Sequence, residues 1–83
     1  MFTLTRLIYI HKFHFQLVHS IDKVLRKHCE QYGSVLALRI FPEKGYAFVK
    51  YESHDIAAGA ISVMNGQTLQ GQIVKVNRDL LHV

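Results

Sequence analysis

The chain has 83 residues, just under half of them apolar and about a fifth charged, which suits one small folded domain and excludes a disordered tail. A formal charge of +4 and a pI near 9.5 are compatible with a polyanionic partner. The single cysteine, Cys29, rules out an internal disulfide and fits a reducing compartment.

The apolar opening "MFTLTRLIYIHKFHFQLVHS" is broken by Arg6, His11 and Lys12 and lacks a small-residue cleavage site. It is too short and too interrupted to span a bilayer. A soluble, intracellular chain with no membrane partner is expected.

Leu7–Ile10 reads as a short strand. Two registers are open for it. In "IYIHKF", Ile8 and Ile10 point inward, Tyr9 points outward and Phe13 closes the strand, with "HFQLVHS" as a long loop. In "HKFHFQ", Lys12 takes the place of the ring. Ser20 then caps a helix over 21–32, whose apolar positions Ile21, Leu25, Cys29 and Tyr32 recur at helical spacing. Gly33 ends it. "SVLALRIF" (34–41) is a strand, "PEKG" a turn and "YAFVKY" (46–51) the returning strand of a hairpin.

Ser53 caps a second helix over 54–64 with the stripe Ala57, Ala60, Ile61 and Met64, and "NG" at 65–66 stops it. "QIVKVN" (72–77) is the last strand. The order β-α-β-β-α-β, with right-handed crossovers, builds a ferredoxin-like α+β sandwich. Its four-stranded antiparallel sheet carries both helices on one face. The domain is expected over 7–78, with tails at 1–6 and 79–83.

The stretch "KGYAFVKY" (44–51) carries the functional signal. It alternates, with Gly45, Ala47, Val49 and Tyr51 on one side and Lys44, Tyr46, Phe48 and Lys50 on the other. Two helices cover one face of such a sheet, so the second set lies open. Open rings are an aggregation hazard unless something flat stacks on them. Nucleic-acid bases are flat, and lysines meet phosphates.

"KGYAFVKY" matches every position of the RNP1 pattern, and the chain here resembles the RNA recognition motif family. From about Asp22 to Lys75 it looks most like the third such domain of the T-cell-intracellular-antigen (nucleolysin) family. The features that carry this are "IFPEKGY", the "SH" before the second helix and "NG…GQIVK". The resemblance implies binding of single-stranded, uridine-rich RNA in splicing or in mRNA translation and stability control. It implies residence in nucleus and cytoplasm, a monomer, no cofactor, and other RNA-binding or splicing proteins as a second partner class. Tyr46 and Phe48 would stack bases, joined by Tyr9 from the first strand. Lys44 and Lys50 would hold the backbone, and Arg39, Phe41 and Lys75 would border the platform.

Residues 1 to about 17 fall outside the resemblance. Either they supply the first strand, or they are foreign to the family, as an alternative first exon would be, and RNA affinity then suffers most. A protein-interaction module of the same fold, or a short form with weak RNA binding, is the alternative reading. The cluster His11, His14 and His19 has no second cysteine or carboxylate at ligand spacing and reads as loop histidines, with no metal. Cys29 reads as a buried structural thiol. The six carboxylates are scattered, and no pair suggests acid–base catalysis.

Overall fold

The computed structural model describes residues 6–78. The outer parts of the expected tails, 1–5 and 79–83, lie outside the described residues. β1 (Leu7–His11) leads through a 3-10 turn (Phe15–Leu17) to α1 (Ile21–Glu30). β2 (Val35–Phe41) and β3 (Tyr46–Tyr51) form the hairpin, and α2 spans His54–Met64. Two short strands, β4 (Thr68–Leu69) and β5 (Gln72–Ile73), precede β6 (Lys75–Arg78). The main sheet is antiparallel throughout, in the order β2-β3-β1-β6. The fold is ferredoxin-like: this sheet with two helices on one face.

Alternation sorts the strands into two faces. Ile8 and Ile10 of β1, Ala47, Val49 and Tyr51 of β3, and Val76 of β6 are fully buried. Leu25 and Cys29 of α1 and Ala57, Ala60 and Met64 of α2 close over them. Tyr51 is the largest of these side chains, and its hydroxyl donates to the Cys29 carbonyl at 2.8 Å. A hydroxyl this deep needs such a partner. Burial pushes the Cys29 thiol up to about 12, and it pushes the Tyr51 phenol up as well.

The first segment takes the register with Tyr9 outward. Phe13 and Phe15 are buried to 1% and 0% exposure and pack on each other, with Val18 beside them in the core. The loop is therefore core material. Phe13 N–H also donates to the Gly45 carbonyl at 3.3 Å, which ties the end of β1 to the β2–β3 turn.

α2 follows its sequence bounds, with the Ser53 hydroxyl accepting from the Ile56 N–H at 3.2 Å. Ser20 does not cap α1 with its side chain. It sits in a left-handed conformation (φ 53°) and starts the helix through its carbonyl, which accepts from Lys23 and Val24. α1 stops at Glu30, two residues short of Tyr32, whose hydroxyl turns to Gln67 Oε1 at 3.1 Å. At Gly33 (φ 151°) a Cβ would fall 2.5 Å from Ile56 Cγ2, so α2 can approach the α1–β2 connection only over a glycine.

The expected last strand over 72–77 is two pieces. Val74 leaves the ladder to donate to the Gln67 carbonyl and accept from Gly66 N–H, both at 2.7 Å. β4 and β5 thereby close a small side hairpin, and β6 begins afresh at Lys75. Asn65 Oδ1 accepts from Val76 N–H at 2.9 Å, fastening the end of α2 to β6.

Candidate nucleic-acid interface

The uncovered face of the sheet is organised by strand register. One cross-strand row runs Phe41–Tyr46–His11–Lys75 and the next runs Arg39–Phe48–Tyr9–Asn77. A third row holds Ala37, Lys50 and Leu7. The two inner strands β3 and β1 thus contribute Tyr46, Phe48, Tyr9 and His11 to the middle of the face. The outer strands β2 and β6 border them with Arg39, Phe41, Lys75 and Asn77.

The rings support one another. Tyr9 lies 5.6 Å from Tyr46 and 5.3 Å from Phe48, centroid to centroid, and Tyr46 and Phe48 are 5.5 Å apart. Phe41 extends the group, 5.2 Å from Tyr46. These separations are in the range where tilted aromatic pairs attract. Mutual packing leaves the rings half-buried, which holds them in place and keeps an outward surface free. The Arg39 guanidinium sits 5.8 Å and the Lys44 ammonium 6.0 Å from the Phe41 centroid, at cation–π reach.

All eight residues expected from sequence lie on this face or its rim. Tyr9, Tyr46, Phe48 and Phe41 are in mutual contact. Lys44 belongs to the turn, where its N–H and that of Gly45 both donate to the Phe41 carbonyl at 3.0 Å. Gly45 is likewise a turn residue (φ 76°), not part of the strand. Lys50 stands one row beyond Phe48, opposite Leu7. Lys75 opens β6 opposite His11 and is exposed. Among the described residues, the ion pairs are Arg26–Glu30 and His54–Asp55, so none of these face cations is neutralised by a carboxylate.

His11 was missed in the sequence, where it reads as a loop histidine. Its ring stacks on Tyr9 with centroids 5.0 Å apart and planes 8° from parallel. Asn77 Nδ2 lies 2.9 Å from its Nε2. An amide nitrogen only donates, so Nε2 accepts and the proton of the neutral ring is on Nδ1. Burial, with Lys12 and Lys75 adding to it, holds the imidazole pKa below its ordinary value. Continuing the alternation Leu7, Tyr9 by one more step would have found it.

Among the described residues no group of three or more histidine, cysteine or carboxylate side chains is placed to hold a metal, and no helix is long and apolar enough to cross a membrane. What the face can do is stack planar groups and attract negative charge. Fold and face together define a small α+β domain with an open aromatic sheet edged by cations, suited to single-stranded nucleic acid.

The chain belongs to the RNA recognition motif family, whose model matches residues 22–75, well over half of it. The match begins after β1, so Tyr9 and His11 lie outside it. Among curated proteins it is 43% identical over 51 residues to the cytotoxic granule-associated RNA binding protein tiar-1 of Caenorhabditis elegans. That alignment covers 61% of this chain and 12% of the worm protein. It is 33% identical over 69 residues to the protein alan shepard of Drosophila mojavensis, covering 76% of this chain and 12% of that one. The chain therefore spans about an eighth of the length of these relatives. The NMR structure of the C-terminal RRM domain of poly(U) binding 1 superimposes with a TM-score of 0.77 at 26% identity, over 89% of this chain and 70% of that one. The Rna15 RRM with bound RNA (GU) matches in fold at a TM-score of 0.75 and 22% identity, over 92% of this chain and 84% of that one.

Proposed function

We propose that this chain binds single-stranded, uridine-rich RNA by stacking bases on Tyr9, Tyr46 and Phe48. In this reading Phe41 and Arg39 border the stack, and Lys44, Lys50 and Lys75 meet phosphates. The observation that carries it is the pair of cross-strand rows, which brings rings from three strands together on the one face the helices leave open. Base stacking contributes about 1–3 kcal/mol per base and tolerates sequence. The uridine preference draws support from the likeness to the C-terminal RRM domain of poly(U) binding 1. The likeness to tiar-1 supports an RNA recognition motif, and "IFPEKGY" and "GQIVK" are the residues on which we assign it to the third domain of the T-cell-intracellular-antigen family. A role in pre-mRNA splicing or mRNA translation and stability, in nucleus and cytoplasm, follows from that kinship. So does contact with other RNA-binding or splicing proteins.

The test is an NMR titration of the chain with a short oligouridylate at two salt concentrations. Shifts centred on Tyr9, Tyr46 and Phe48 that weaken in high salt are expected. Affinity indifferent to salt, or shifts confined to the helices, would overturn the reading in favour of a protein-binding module.

A further inference from the structure

Where β1 ends, the platform drops into an open recess of about 500 Å³. Tyr9 and His11 form its inner side. Lys12 and His14 reach it from the β1–α1 connection, and Lys44 and Gly45 from the β2–β3 turn. Phe13 completes the lining; four of the seven residues, His11, Lys12, His14 and Lys44, are basic, and no carboxylate lines the recess. The backbone is shaped to make it. Lys12 is held in a left-handed conformation (φ 57°), unfavourable for a lysine, and Gly45 in another (φ 76°). Non-glycine residues persist in that region only where the surroundings hold them, and they concentrate at binding sites. The two turns are locked together by the Phe13 N–H to Gly45 carbonyl bond.

We propose that this recess is a phosphate subsite of the RNA face, and that His11 joins Lys12 and Lys44 as a ligand that takes up a proton when the phosphodiester arrives. The proposal rests on the RNA reading for its ligand. His11 is placed for this role by geometry. It stands at the boundary between the stacked rings and the basic recess, opposite Lys75 and stacked on Tyr9. In the free domain its Nε2 accepts from Asn77, and the nearby charges are all positive. Lys12 on its own chain segment and Lys75 on β6 oppose its protonation. Lys44 and His14 share the recess, and the phenols of Tyr9 and Tyr46 flank it. A phosphate reverses the sign of that local field. The proton comes from solvent and goes to Nε2, and the Asn77 amide turns to present its oxygen. RNA affinity then rises as pH falls, by about tenfold for each unit the bound-state pKa exceeds the free one.

The experiment follows oligouridylate affinity of the full chain from about pH 7.5 to about pH 5.5. It also follows the imidazole nitrogens of His11 by NMR with and without RNA. The wild type is expected to bind more tightly at the lower pH, with the His11 pKa raised by RNA. His11→Gln, which cannot titrate, is expected to lose that rise, while His54→Gln on the helix side keeps it. An equal rise in His11→Gln and wild type, or a His11 pKa unmoved by bound RNA, would overturn the proposal. If the chain binds no oligouridylate at any pH, the RNA reading itself fails. Inorganic phosphate then reads the recess alone: a raised His11 pKa with phosphate sustains the subsite, and an unmoved one removes it.

Discussion

The two faces of the central sheet are built from the same strands, with neighbouring residues assigned to opposite tasks. On the helix side Ile8, Ile10, Ala47, Val49 and Tyr51 are sealed from solvent. On the other side Tyr9, His11, Tyr46 and Phe48 pack on one another and stay half-open. The difference teaches how a domain this small separates stability from recognition. Apolar area on one face is spent on folding, while on the other it is left available to a flat ligand. Substitutions one residue apart should therefore fail in different assays.

The largest effect should come from the core that the first segment supplies. Phe15→Ala is expected to lose about 3–5 kcal/mol of folding stability, as large buried truncations do, because the ring is fully buried against Phe13. Leu17→Ala, 78% exposed, should stay within about 0.5 kcal/mol. Urea unfolding of both variants checks this, and equal midpoints would break the division of roles.

On the open face, Phe48→Ala should weaken oligouridylate binding by about 1–3 kcal/mol with a nearly unchanged melting temperature. Anisotropy titration and calorimetry on one preparation separate the two quantities. A variant that unfolds instead would place Phe48 on the wrong side of the comparison.

The buried Cys29 thiol sharpens the helix side further. Its acid form is favoured in the folded chain, with a pKa raised to about 12. The stability it contributes is complete below the unfolded thiol's pKa and is lost as pH rises above about 9. The unfolded state binds fewer protons in that window, so the loss approaches at most about 1.4 kcal/mol per pH unit. Cys29→Ala should flatten the decline between about pH 9 and 10, with Tyr51 still acting at higher pH. Unfolding curves stepped through that range decide it.

The smallest effect belongs to the rim. Lys44→Ala should lower affinity modestly at low salt and make the logarithmic salt slope shallower by about 0.7, the value for one single-strand phosphate contact. A slope identical to wild type would remove Lys44 from the backbone contacts.

Much of this was legible in the chain. β3 and α2 follow their sequence bounds because local signals agree there: strict alternation in "YAFVKY", the Ser53 cap, and "NG" after Met64. The platform rings followed from the same alternation. What escaped depended on distant partners. Nothing local distinguishes the two registers of the first strand; burial of Phe13 and Phe15 does. The break at Val74 is invisible in "QIVKVN", since it comes from hydrogen bonds to Gly66 and Gln67. His11 was hidden by its neighbours, because a histidine beside Lys12 and His14 resembles a solvated loop until β6 is laid alongside.

The pairing of β1 with β6 bears on how the domain responds to tension. Ile8 lies opposite Arg78, and His11 lies opposite Lys75. The described chain thus enters and leaves at the same end of the sheet, through adjacent antiparallel strands, with the basic recess at the opposite end. A pull on the two ends acts across the ladder and opens its bonds one after another, instead of shearing them together. The first bonds to give are beside Tyr9, at the middle of the ring platform. Stretching and RNA binding should then oppose each other: bound oligouridylate is expected to raise the force at which a singly tethered domain opens. An opening force that RNA leaves unchanged would mean that β6 can peel away without disturbing the rings.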